Sequence, residues 1–299
     1  MIRRCCRSTS GLCHRLDPNR VDLKMDFENN RRNEKILPLS GKIFSGILLT
    51  FLVMTGQLNA QSISEINRFR IDNKVKMEKD DTIITIETST IFCDGNIFDF
   101  IGNNGEIIIY RQETDSFTIL DPIHRIQTTL MNSEIDDFIK RITEKLKEKD
   151  DKFCNFMLVP VFDCSKNDSG ELLFQSKWID YRIKTLAFDE LLHANDYFLF
   201  IDAYTRLNIY LNPGAITSFA RININEYLKQ EKCFPEKFSI TVFPKGKIFF
   251  GKTIKIESEH KLIRRLTEED QGKILRALHF EQKFPKTTIG NYQKVISQK

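Results

Sequence analysis

Between Asp80 and Leu130 the chain reads as a succession of short strands and tight turns, and no other stretch limits the fold as much. TIITIETSTIF is dense in Thr and Ile, whose branched β-carbons suit a pleated surface better than a helix. Asp94-Gly95 follows, a strong two-residue hairpin signal. NIFDFI, a GNNG turn, EIIIYRQ, an ETDS turn and FTILD come next, and Pro122 separates these from IHRIQTTL. The pattern predicts a meander of four or five short antiparallel strands.

Ser133 then opens a helix, with Asp136 in the carboxylate position of a capping box. Ile135, Phe138, Ile139, Ile142 and Leu146 recur on one apolar face, and Lys145, Lys147 and Lys149 suit its negative end. FCNFMLVPVFDC and ELLFQSKWIDYRIKTL read as further strands around a turn at 166–170. A second helical region spans about Asp189 to Leu211 and stops at Asn212-Pro213-Gly214. A short helix is expected at Asn225–Lys232, followed by strands in KFSITVF and TIKIESEHKLIRRL. Thr267 caps a last helix reaching about Phe280. The fold class this predicts is α+β: a curved, half-barrel-like antiparallel sheet, lined by Phe and Ile and covered on one side by about three helices. Residues 61–282 form a single globular domain in this reading, and 283–299 a flexible tail.

Residues 1–60 read as a leader. A basic stretch (Arg31, Arg32, Lys35, Lys42) precedes the uncharged run from Ile43 to Met54, and TGQLNA ends in Ala60 before Gln61. That is the order of a secretory signal over about 36–60, cut between Ala60 and Gln61. The apolar run is too short to span a bilayer, which takes about 20 residues, so the membrane is a partner only through an uncleaved leader. Met25 is a plausible true start. The chain has 45 Lys+Arg against 41 Asp+Glu, net +4. Ten of the basic and five of the acidic side chains precede Gln61, leaving a mature part of net −1. The basic footprint of a nucleic-acid binder is missing.

Cys93, Cys154, Cys164 and Cys233 remain in the mature part, too few for a disulfide scaffold. On one straight strand Cys154 and Cys164 would lie about 33 Å apart, so buried thiols are expected rather than a bridge. No nucleophile motif or metal-ligand spacing stands out, and neither a metal nor a cofactor is expected. His193 lacks a second His at i+3 or i+4, and His124 and His260 stand alone on strands. Asp202 and Arg206 are spaced for a helix-surface ion pair; alternatively Arg206 grips an acidic group. Trp178, Tyr181, Tyr197 and Tyr204 form either core or an aromatic wall. The ligand-binding candidates are therefore Trp178, Tyr181, Tyr204 and Arg206, with no catalytic residue assigned.

FCDGNIFDFI, SFTILDP, HRIQTTL, SKWIDYRIKT (Ser176 to Thr185), AYTRLNIYLNPG (Ala203 to Gly214), FARININEYL and ESEHKLIRRLTEED together resemble a family of uncharacterised exported proteins of planctomycete-type bacteria, which brings no activity with it. More distantly, the order Asp-Gly, strand, turn, strand, Asp-Pro looks like the half-barrel of periplasmic lipoprotein carriers of the LolA type. These readings imply an exported periplasmic or cell-envelope protein that binds a hydrophobic ligand or lipid without catalysis. An envelope interaction module docking a partner protein, and a hydrolase with a site assembled from scattered residues, are the alternatives.

Overall fold

Eleven strands lie side by side in one antiparallel sheet: β1 (Phe69–Lys79), β2 (Thr82–Cys93), β3 (Asn96–Ile101), β4 (Ile107–Arg111), β5 (Ser116–Asp121), β6 (Ile126–Met131), β7 (Asp163–Lys166), β8 (Leu172–Gln175), β9 (Ile179–Ala187), β10 (Cys233–Val242) and β11 (Ile254–Ile263). Their spatial order is β6-β5-β4-β3-β2-β1-β11-β10-β9-β8-β7. The helices are α1 (Asn132–Lys147), α2 (Lys152–Leu158), α3 (Leu191–Leu211), α4 (Ile216–Gln230), α5 (Glu268–Lys283) and α6 (Ile289–Ser297). This computed structural model describes residues 68–79, 82–102, 105–149, 151–187, 191–213, 216–243 and 253–297. The expected leader, its cleavage point at Ala60 and Gln61 and the candidate start at Met25 lie outside the described residues.

The meander is present as β2 to β6. Asp94 (φ 51) and Gly95 (φ 74) both adopt the left-handed conformation that a type I′ turn demands, and Cys93 pairs with Asn96 across it. Register then fixes which residues face the helices. Phe69, Phe92, Ile97, Tyr110, Phe117 and Leu130 pair in succession across six strands, forming one buried apolar row. The next row runs Ile71, Thr90, Asp99, Ile108, Ile119 and Thr128. The third begins His260, Asn73, Thr88, Ile101.

These rows lie under α3, whose Phe200 packs on Phe92 at 5.7 Å and on Tyr110 at 6.1 Å between ring centroids. Towards β9 and β10 the cover is α4, through Tyr227 on Phe174 and Arg221 on Phe238. On the reverse face α5 seats Ala277 against Ile91, Phe98, Ile107, Ile109 and Leu120. Arg70 of β1 holds the α5 N-terminus through Asp270 at 2.6 Å. The rest of the reverse face is charged, with pairs such as Lys74–Glu87 and Lys237–Glu259.

The half-barrel expectation is overturned. The strand order is linear, β6 and β7 form two separate edges, and the sheet is neither closed nor strongly curled. Six helices are described rather than about three. One-sided cover also fails, because β4 and β5 are sandwiched between α3 and α5. Nearly every residue of those two strands is buried, whichever face it points to.

Local differences have local causes. α1 begins at Asn132 because Glu134 reaches back to the Met131 N–H at 2.9 Å, placing the cap two residues before Ser133. Within FCNFMLVPVFDC, Asp151 accepts from the N–H groups of Phe153 and Cys154 at 2.9 Å each, and this cap makes α2 a helix. α4 starts at Ile216, well before Asn225. Beyond Lys283, where a loose tail is expected, the Gln127 side chain donates to the Glu281 and Phe284 carbonyls at 2.6 and 2.5 Å. The Gln127 backbone pairs with Pro285 and Thr287, and α6 buries Tyr292.

Candidate functional site: a polar belt under the helices

Polar side chains interrupt the apolar rows on β1, β2 and β3. The Asn73 amide donates to the hydroxyls of Thr88 at 3.0 Å and Thr90 at 3.4 Å. Thr90 donates to Asp99 at 2.8 Å, and the Tyr204 hydroxyl reaches the other Asp99 oxygen at 2.9 Å. Just beyond, Tyr292 of α6 donates to Glu106 at 2.7 Å. Asp99 is 1% exposed and Glu106 is also buried. Burial pushes the Asp99 carboxyl up to about 6. The Thr90 and Tyr204 hydrogen bonds pull it down, and the nearby Glu106 charge adds to the rise. The Tyr204 hydroxyl is driven well above its usual range, by burial first and then by Asp99.

A match of repeats places α3 over this belt. Four helical residues advance about 6 Å and two strand residues about 6.6 Å, so successive turns of α3 meet successive rows of β3. Phe200 stands over the first row and Tyr204 over Asp99 in the second. Asn208 follows one helical turn after Tyr204. It is 5% exposed, and neither its amide nitrogen nor its oxygen has a hydrogen-bond partner among the described residues. An unsatisfied buried group costs about 1–3 kcal/mol.

A second polar locus lies under α4. The Arg221 guanidinium, 3% exposed, sits 3.7 Å from the Phe238 ring centroid. Burial lowers its pKa to about 9. His260 packs on Phe238 at 5.6 Å, and burial, then Arg221, depress its pKa to about 3. That imidazole is neutral at physiological pH.

The sequence-based candidates fall in separate places. Trp178 is partly exposed, edge-on to Phe153 at 5.1 Å, with Lys177 over its ring at 4.6 Å. Tyr181 is buried on β9 against Phe162. Tyr204 packs on Phe117 and Phe200. Asp99 beneath Tyr204 lies five strand spacings from β9, about 24 Å, so one small ring cannot touch both tyrosines, whereas an extended chain can. Arg206 is half-exposed and approaches Asp136 of α1 at 3.7 Å, while Asp202 accepts from Asn225 of α4 at 2.8 Å. Asp99, Glu106 and Arg221 escaped sequence reasoning. The one signal was a carboxylate between two Phe in NIFDFI, where strand alternation alone would place it on a solvent face.

His124 contacts Asp121 at 2.8 Å inside a turn, and the His193 side chain lies outside the described set. None of Cys93, Cys154, Cys164 and Cys233 is in a disulfide. They are half-buried, except Cys164, which is exposed. Cys154 is on α2 and Cys164 on β7, not on one strand. Among the described residues no three His, Cys, Asp or Glu converge to hold a metal ion. No described helix is long and apolar enough to cross a membrane.

No family model matches the chain, and no curated protein matches it. Among solved structures, a LolA-superfamily protein from Nitrosomonas europaea is similar over 70% of this chain and 95% of its own length, with 10% identity and a TM-score of 0.28. That is a distant fold likeness, too weak to carry a functional argument.

Proposed function

We propose that this is an exported, non-catalytic binding protein of the periplasm or cell envelope that takes an apolar or lipid-like molecule between its helices and its sheet. The observation that supports this reading is the composition of that interface. Its buried cluster runs from Phe117 to Phe174 and includes Phe69, Phe92, Tyr181, Tyr197, Phe200, Tyr204 and Phe238. Among the described residues its buried charged groups gather at two loci, Asp99/Glu106 and Arg221, and few convergent polar groups in an apolar setting are what ligand sites present. A chain-like ligand along the rows would touch Tyr204 at one end and Tyr181 and Trp178 at the other, with Arg206 near the rim.

Native purification of the mature protein followed by lipid extraction and mass spectrometry tests this. Co-purifying lipid, and displacement of an apolar fluorescent dye by long-chain compounds, are expected. Protein free of lipid and indifferent to every long-chain compound would sink the reading. A second reading, a docking module, is favoured by the β7 edge, where all four residues and the neighbouring Val159 and Val161 are exposed. Cross-linking in cells that captures one stoichiometric partner would favour it.

A further inference from the structure

We propose that α6 is a plug seated in the protein's own ligand site, and that an apolar molecule enters between helices and sheet by displacing it. This rests on the reading of the protein as a binder of such a molecule, and it names the element that moves.

The last part of the chain changes sides. Ala277 of α5 belongs to the apolar cluster of the reverse face, whereas Tyr292 of α6 joins Phe92, Phe117 and Tyr204 in the cluster under the helices. Between them the chain turns round the β6 edge, where the Gln127 N–H donates to the Pro285 carbonyl at 3.1 Å and its carbonyl accepts from Thr287 at 2.8 Å. Ile289, Tyr292 and Ile296 then stand at i, i+3 and i+7, the spacing with which an amphipathic helix fills an apolar groove. The two isoleucines are partly buried and pack on that same cluster.

Room for a ligand has to come from a cover that yields. Tyr110, Phe117, Phe200 and Tyr204 already touch ring to ring, with centroids 4.7 to 6.5 Å apart, as in any close-packed interior. At the β6 end the covers are α1, α3 and α6. α1 buries Ile135, Ile142 and Leu146. α3 buries Phe200, Tyr204 and Leu207 and is tied to α4 through Asp202 and Asn225. α6 has nine residues and one fully buried side chain, Tyr292. A helix shorter than about 12 residues holds poorly by itself in water, and segments with few buried contacts open first. While α6 is seated, the apparent affinity for a ligand falls by the fraction of molecules that are open.

Unseating α6 should therefore strengthen binding. Ile296→Asp places a charge at the half-buried end of its contact and opens no interior hole. Dodecanol, titrated against a bound apolar dye, should bind this variant roughly tenfold more tightly than the parent. In the parent, saturating dodecanol should speed hydrogen exchange across residues 289–297 and leave α3 unchanged. That second measurement needs no variant, so it decides the matter even where Ile296→Asp folds poorly. Affinity that is unchanged or weaker in the folded variant, or exchange in 289–297 that is unchanged or slower on binding, would overturn the proposal and leave apolar binding standing. Dodecanol binding to neither protein would sink the binding reading, and the proposal with it.

Discussion

The Tyr204 hydroxyl donates to Asp99 across 2.9 Å, joining the middle of α3 to the third strand at a carboxyl that burial holds near pKa 6. The unfolded value is near 3.9, so the folded state binds the extra proton between these pH values. Stability from this group is fully present below about pH 4 and is lost as pH rises through 6. Asp99→Asn should remove that dependence. Urea unfolding at pH 4.5 and 7.5 should show the variant gaining roughly 2 kcal/mol relative to the parent on going to the higher pH.

His260 works in the opposite sense. Its folded pKa near 3 lies below the unfolded 6.5, so acidification protonates the unfolded chain first and stability falls as pH drops below about 6.5. His260→Gln should recover as much as about 2 kcal/mol at pH 5 and little at pH 7.5. Equal effects at both pH values would mean that the imidazole is not held neutral by Phe238 and Arg221.

Arg70→Ala leaves the buried Asp270 without its guanidinium. Burial raises this carboxyl, but the Thr267 N–H, Arg70 and the Thr267 hydroxyl together hold it below the usual range. The expected loss is roughly 2–4 kcal/mol. Hydrogen exchange should show the loosening concentrated in α5.

Two glycines should respond with opposite signs to one added methyl group. A Cβ at Gly102 would come 2.9 Å from the Glu87 carbonyl oxygen, whereas one at Gly272 meets nothing within 4 Å. Gly102→Ala should cost about 1–3 kcal/mol through overpacking. Gly272→Ala, inside α5, should gain about 0.5–1 kcal/mol. Thermal melts of the two single variants check both signs.

The meander was legible because its turns are written in local chemistry: Asp94-Gly95 can do little else. The heart of α3 was legible from its apolar spacing and its Asn-Pro stop, and α5 from the Thr267 cap. What stayed hidden depends on contacts distant in sequence. β1 alternates Arg, Asp, Lys and Glu on its outer face, and only its pairing with β2 and β11 reveals it as a central strand. The final helix looked like solvent-exposed tail because its anchors, Gln127 and Glu106, lie more than 150 residues upstream. The polar belt was illegible for the same reason. Asp99 and Tyr204 meet only once α3 is laid along β3, and no spacing in the sequence encodes that juxtaposition.

The seam between β1 and β11 separates two half-sheets, and its strands are about 190 residues apart in the chain. The meander can pair as soon as it is made. Its innermost strand, however, waits with one bare edge until almost the whole polypeptide is available. Long-range pairing of this kind is slow. That delay makes the seam a timer: the two half-sheets become one body only when β11 docks against β1.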